Sequence, residues 1–241
     1  MRIFFNNFFL ILLALLIPAS ISCTPLQSEV LAPEANSYEP EYSLISLSSI
    51  ERKTREASVK VSAENGGHGS GTYLLYEGYH VVFTAAHVAA NGYLFTVEDM
   101  YGNKRVGTVA YLDKKADFAI ILIPSFKKIK PIIFKVPSYN PTQEIGKELI
   151  FSGYPGRQTL RTVRALISGV EGKRFVMQST AWSGSSGSCV FDSKGNFVGI
   201  LFAVSMEPFS GKPVLLESMV WVEPYTTINW TLAKKYIIAL N

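Results

Sequence analysis

The chain has 241 residues, of which 48% are apolar and 17% charged, with a formal net charge of +4. That composition buries a core and excludes disorder over most of the length, and the length holds one medium domain or two small ones plus a targeting segment. The basic residues are dispersed. Even the densest groups, Lys127/Lys128/Lys130 and Arg157/Arg161/Arg164, read as solvated faces, so no nucleic-acid partner is expected.

The first 22 residues carry one charge, at Arg2, then an apolar stretch from Ile3 to Ile17 and a small-residue end, Pro18-Ala-Ser-Ile-Ser22. This is the layout of a secretory signal peptide. Asn6-Asn7 interrupts the stretch, which falls short of the roughly 20 residues of a spanning helix; an uncleaved anchor is the alternative. With only 2 cysteines, Cys23 and Cys189, an exported domain has to rely on its apolar core rather than on a disulfide framework. Cys23 follows the expected cleavage point in Ser20-Ile-Ser-Cys23-Thr. The segment resembles a bacterial lipoprotein processing site, although Ser20 stands where Leu is usual. The resemblance implies lipidation of Cys23 and a membrane tether; ordinary cleavage beside an incidental cysteine is the alternative. The chain is therefore expected to be exported, either lipid-anchored at a bacterial cell envelope or secreted. Residues 23–49, with Pro25, Pro33 and Pro40, read as a flexible linker, and residues 50–241 as the folded domain.

From Ser58 onward, short β-branched and aromatic runs alternate with turn residues, which predicts strands. The runs are Ser58–Ser62, Thr72–Tyr76, Val81–Thr84, Tyr93–Val97, Arg105–Leu112, Phe118–Ile123 and Ile132–Val136. They continue with Glu148–Tyr154, Thr159–Val170, Phe175–Ser179, Cys189–Phe191, Phe197–Val204 and Val214–Val222. Turn signals such as Tyr101-Gly-Asn103 and Ser193-Lys-Gly-Asn196 separate them. Strands at this spacing make a sandwich or barrels. At the C-terminus, Thr226 or Thr227 is expected to cap a helix whose apolar face is Ile228, Leu232, Tyr236 and Leu240. The fold class is all-β with one terminal α-helix.

A hydroxyl nucleophile needs a base to take its proton and a third group to orient that base. The chain has 3 histidines, His68, His80 and His87, all in the first half, and its aspartates Asp99, Asp113, Asp117 and Asp192 all follow His87. Of the convergent triad orders, only His, then Asp, then Ser stays open. Thr84-Ala-Ala-His-Val88 ends a strand run with small residues. Asp117 directly precedes the apolar run Phe118-Ala-Ile-Ile-Leu122, where an unpaired carboxylate is costly. Gly184-Ser-Ser-Gly-Ser188 sets Ser186 in a loop whose backbone N–H groups can converge on an oxyanion. Asp113, in a Lys-flanked turn, is the competing acid. His68 and His80 read as loop and strand-end residues, and no ligand spacing supports a metal site; no cofactor is expected.

These three segments, in this order, resemble the trypsin-like peptidase superfamily, especially its bacterial HtrA-like and glutamyl-endopeptidase-like branches. Gly69-Ser-Gly71, Gly153-Tyr-Pro-Gly156 and the segment from Val190 to Ile200 match as well. The resemblance covers about residues 56–240. It implies two six-stranded antiparallel β-barrels with the C-terminal helix packed behind them. It also implies His87 as general base, Asp117 as its orienter, Ser186 as nucleophile and the Gly184 and Ser186 N–H groups as oxyanion hole. By the same alignment Phe202-Ala203-Val204 pairs with a bound polypeptide substrate and Thr180 lies near the base of the specificity pocket. Ser185 replaces the Asp that pairs with a new N-terminus in digestive trypsins, so no such activation switch is expected. No PDZ domain is expected after Asn241. Leu201 stands where glutamyl endopeptidases have His, and no acid marks the pocket, so cleavage after small or medium apolar residues is expected. Cys189 reads as buried and inert. The alternative is a trypsin-fold binding module without catalytic activity.

Overall fold

The computed structural model describes residues 46–240 apart from 65, 91, 139–143 and 210–211. The expected signal peptide 1–22, Cys23 and the linker as far as residue 45 lie outside the described residues. Thirteen strands and three α-helices form the described part.

The first barrel comprises β1 (Ser58–Ser62), β2 (His68–Tyr76), β3 (Tyr79–Thr84), β4 (Leu94–Glu98), β5 (Lys104–Asp113) and β6 (Phe118–Leu122). Their order is β1-β4-β5-β6-β3-β2, and the ring closes through antiparallel β1–β2 pairing, Ser58 opposite Thr72 and Ser62 opposite His68. The two-residue β7 (Ile132–Ile133) lies parallel to β2 at Leu74 and Leu75, beyond the end of the β1 pairing. The second barrel comprises β8 (Glu148–Gly153), β9 (Arg161–Glu171), β10 (Arg174–Gln178), β11 (Cys189–Asp192), β12 (Phe197–Phe209) and β13 (Lys212–Pro224), closed in the order β10-β13-β12-β11-β8-β9. The expected strands are thus present. β2 starts four residues earlier than its apolar run, because Gly69 and Gly71 are strand residues at a close approach rather than turn residues.

Alternating in-facing residues give each barrel its own core. Val59, Val61, Tyr73, Val82, Phe95, Val97 and Ile121 fill the first. Leu149, Phe151, Ile167, Phe175, Met177, Val190 and Val222 fill the second. A third cluster joins the barrels, with Leu74, Phe83, Phe118 and Phe134 from one side and Cys189, Phe191, Phe197 and Ile200 from the other. Phe83 and Phe134 have ring centroids 4.9 Å apart, and Phe134 and Phe197 5.4 Å, both edge to face. Each such pair contributes about 0.5–1.5 kcal/mol beyond its buried area.

Two helices depart from expectation. The first, α1 (Ser49–Glu56), begins at the last residue assigned to the linker. Ser48 caps it, accepting from Glu51 N–H while the Glu51 carboxylate accepts from Ser48 N–H. The helix has no apolar stripe to reveal it. It is held by charge instead: Arg164 Nε and Nη2 donate to buried Glu51 at 2.6 and 2.7 Å. Arg55 donates to the Leu160 carbonyl and to Thr162 Oγ1. Arg164 is therefore a partner of α1 and not part of a purely solvated face. Its guanidinium holds the Glu51 carboxyl down at about 2. The second helix, α2 (Ala86–Ala89), is a single turn after β3.

The C-terminal helix, α3 (Trp230–Ala239), starts later than expected and is capped by Asn229, after a 3-10 turn at Tyr225–Thr227. It buries Ala233 and Ile237. Leu232, Tyr236 and Leu240, expected to face the core, are 38%, 51% and 51% exposed. Trp230 sets the rotation: its ring packs on Phe118 at 5.4 Å and its Nε1–H donates to the Tyr225 carbonyl. Trp230, Ala233 and Ile237 share one helical face.

Candidate active site

Two carboxylate oxygens hold the single turn that carries His87. Asp117 Oδ1 accepts from His87 N–H at 2.9 Å and Asp117 Oδ2 lies 2.7 Å from His87 Nδ1. The Asp117 carbonyl accepts from Ala86 N–H at 3.0 Å. An ionised Asp117 requires Nδ1 to carry a proton, which leaves Nε2 of a neutral ring as the acceptor. The imidazole side chain is 49% exposed and the carboxylate 18%, so the ring opens to solvent while its partner is mostly covered. Asp117 has φ 42°, left-handed backbone that Asp tolerates better than most residues. The strain sits between the turn ending β5 and the buried start of β6, as is common where a fold positions a reacting group.

Asp113 has a different task. Its Oδ1 accepts from Lys115 N–H and Ala116 N–H, and its Oδ2 from Tyr111 OH. It shapes the turn that delivers Asp117, and no hydrogen bond joins it to His87. Burial first, and the Asp113 charge second, push the Tyr111 hydroxyl pKa up.

Ser186 stands half-buried in the turn before β11. Ser185 N–H donates to the Trp182 carbonyl, Ser188 N–H to the Ser185 carbonyl and Gly187 N–H to the Leu201 carbonyl. Ser188 Oγ closes the turn on the Ser185 carbonyl at 2.8 Å. Among the described residues the N–H groups of Gly184 and Ser186 meet no protein acceptor. Paired free donors of this kind can receive a developing oxyanion. His87 and Ser186 are not joined by a hydrogen bond, but their segments converge on β2. A Cβ built on Gly69 would lie 2.5 Å from Val88 Cγ2 and 3.0 Å from the Ser186 carbonyl oxygen, so only Gly fits between them.

Thr180 and Ser185, with Phe151, Val163, Ala181 and Trp182, line a cavity of about 280 Å³ beneath this loop. Phe202, Ala203 and Val204 are half-buried on β12 and do not line it. The Arg174 guanidinium lies 4.8 Å from the Phe202 ring centroid and pairs with buried Glu223. Cys189 is buried beside the site, and burial pushes its thiol up to about 12. His80 Nδ1 lies 2.7 Å from Tyr73 OH, away from His87. His68 Nε2 lies 3.3 Å from the Tyr154 carbonyl; burial, and then Lys60, lower its pKa. Among the described residues no cluster of three or more His, Cys, Asp or Glu could hold a metal, and no helix is long and apolar enough to cross a membrane. Sequence reasoning assigned nothing to Ser70, Arg174 or Glu223. The only signal for Ser70 was its place between two glycines.

A family model described as a trypsin-like peptidase domain matches residues 69–200, a span that includes His87, Asp117 and Ser186. No curated protein matches the chain. Among solved structures, a serine endoprotease from Yersinia pestis is 20% identical with a TM-score of 0.61, over 78% of this chain and 65% of that one. The chain thus spans less than two thirds of that protein. The Rv3671c protease of Mycobacterium tuberculosis, in an inactive form, is 20% identical with a TM-score of 0.60, over 77% of this chain and 92% of that one. At these identities the likeness to solved structures concerns the fold.

Proposed function

Because the chain belongs to the trypsin-like peptidase family, we propose that it is a serine endopeptidase working through His87, Asp117 and Ser186. The observation that carries this reading is the double grip of Asp117 on His87, at 2.7 and 2.9 Å. It fixes both the tautomer and the direction of the imidazole, as a general base requires.

In the proposed reaction Ser186 Oγ attacks the scissile carbonyl carbon as its proton passes to His87 Nε2. Asp117 stabilises the resulting imidazolium. The Gly184 and Ser186 N–H groups take the oxyanion. His87 then protonates the leaving amine, and water repeats the sequence on the acyl-enzyme. The Nε2–Oγ hydrogen bond forms as substrate closes the cleft; such bonds are often long in unliganded enzymes.

Small or medium apolar residues are the proposed preference at the cleaved bond. Thr180 brings no charge, and Arg174 beside Phe202 is already neutralised by Glu223. Among the described residues no carboxylate lines the cavity, so a basic side chain there would lose water without gaining a partner. An acidic one would find only the exposed Arg161, whose Nε already donates to Gln158, whereas each buried methylene gains about 0.8 kcal/mol. The sequence of the N-terminal segment supports export, with lipidated Cys23 tethering the enzyme near envelope or extracellular polypeptides.

The test is hydrolysis of a mixed peptide library by the full chain and by Ser186→Ala. Cleavage after Ala, Val, Leu or Met by the parent alone is expected; equal cleavage by the variant removes Ser186 from the mechanism. The second reading, a binding module, has one observation in its favour, the missing His87–Ser186 hydrogen bond. An inert parent would establish it.

A further inference from the structure

Ser70 is wholly buried in β2, in the first barrel, yet its hydrogen-bonding groups reach beyond its own sheet. Its N–H donates to the Ser186 carbonyl at 2.8 Å. Its Oγ donates to the Gly184 carbonyl at 2.7 Å and accepts from Tyr154 N–H at 2.8 Å. Its carbonyl accepts from Thr84 Oγ1 at 2.7 Å. One residue thus ties together the loop of Ser186, the segment after β8 and the strand end that leads to His87.

The two carbonyls held by Ser70 belong to Gly184 and Ser186, the same residues whose N–H groups stay free. We propose that Ser70 is a positioning residue that fixes the oxyanion donors and Ser186 relative to His87; this rests on the peptidase reading above. Backbone bonds hold the peptides on either side, Gly156 N–H on the Ser183 carbonyl and Ser185 N–H on the Trp182 carbonyl. Among the described residues no backbone donor reaches the Gly184 carbonyl, and Gly184, at φ 96°, has no side chain to restrain it. The Ser70 hydroxyl supplies the lock from one side. His68, two residues earlier on the same face of β2, supplies a wall: its Nε2 lies 2.7 Å from where a Gly184 Cβ would stand. With the hydroxyl gone, the Gly184 carbonyl loses its partner in a buried site. The loop then has reason to turn, taking a donor away from the oxyanion.

The test compares full-length parent, Ser70→Ala and Ser70→Cys, whose somewhat larger thiol offers a weaker donor. Asp99→Ala, which loosens a turn between β4 and β5, controls for stability. Turnover on a peptide ester is read with amide hydrogen exchange over residues 182–188. For Ser70→Ala the expected result is kcat lowered about 10- to 100-fold with KM changed less than about threefold, since one oxyanion donor is typically worth about 10²–10³. Exchange in the loop should rise about tenfold, with the strands unchanged. Ser70→Cys should fall between, and it decides the matter if Ser70→Ala does not fold. Asp99→Ala should keep the parent kcat. Parent-like kcat and loop exchange in the Ser70 variants would overturn the proposal while leaving the peptidase reading intact. An inert parent would fail that reading, and loop exchange alone would then decide whether Ser70 holds the loop.

Discussion

Gly187→Ala tests the packing behind Ser186 most severely. Gly187 has φ 90°. A Cβ there would stand 2.2 Å from the Ser70 carbonyl oxygen, 2.3 Å from Thr84 Oγ1 and 2.9 Å from Ala85 N. Two of these atoms are backbone, and the third is held by its own 2.7 Å bond to Ser70, so none can withdraw cheaply. The left-handed backbone costs about 1–2 kcal/mol for a residue with a Cβ, and overpacking about 1–3 kcal/mol more. At about 2–4 °C per kcal/mol for a domain of this size, Tm should fall by about 4–20 °C. Gly172→Ala is the matched control: φ is 63° but nothing lies within 4 Å of its Cβ, so only the backbone cost remains. Thermal melts by circular dichroism, with turnover measured well below Tm, separate the two. Gly187→Ala should lose more stability than Gly172→Ala and most of its activity, while Gly172→Ala keeps its activity. Equal Tm shifts would refute the reasoning, because the clash would then contribute nothing.

Asp117→Asn should lower kcat by about 10⁴ while the fold survives, because the amide no longer fixes the His87 tautomer; Asp113→Asn should retain most activity, and the reverse ranking in a turnover assay would show the wrong acid was chosen. The Glu51 pKa is held at about 2, so the stability this group adds is present above the ordinary carboxylate pKa of about 4.3 and is lost as pH falls from there through 2. Denaturant titrations of Glu51→Gln between pH 5 and pH 2 should accordingly show a weaker loss of stability with acid than the parent. Cys189, buried with its thiol raised to about 12, should resist a thiol reagent at pH 8 in the native protein and react on unfolding; rapid native labelling would contradict its burial.

The barrels were legible because their strands carry period-2 patterns punctuated by turn residues, and those patterns are local. Elimination left only the order His, then Asp, then Ser; the choice of His87, and of Asp117 over Asp113, came from their local contexts and from the resemblance to trypsin-like peptidases. What escaped was decided at a distance. α1 is stabilised by Glu51 meeting Arg164 across 113 residues of sequence, and a charged octapeptide shows no periodicity that would reveal it. The C-terminal helix was placed, but its buried face was misread, because Trp230 outweighs the Leu232/Tyr236 stripe once it meets the aromatic cluster. Ser70 stood in the sequence only as the middle of the matching segment Gly69-Ser-Gly71, with no role of its own. Its importance lies in three partners, Gly184, Ser186 and Tyr154, that only the docked barrels bring to it.

The central claim is that Ser186 is a nucleophile activated by the His87–Asp117 pair. Mass spectrometry of the full chain after exposure to a fluorophosphonate measures this most directly, since the reagent marks only an activated serine. The account predicts one adduct per chain, on the peptide containing Ser186, absent in Ser186→Ala and strongly slowed in His87→Ala. An unlabelled parent, or an adduct that persists in Ser186→Ala, would contradict it.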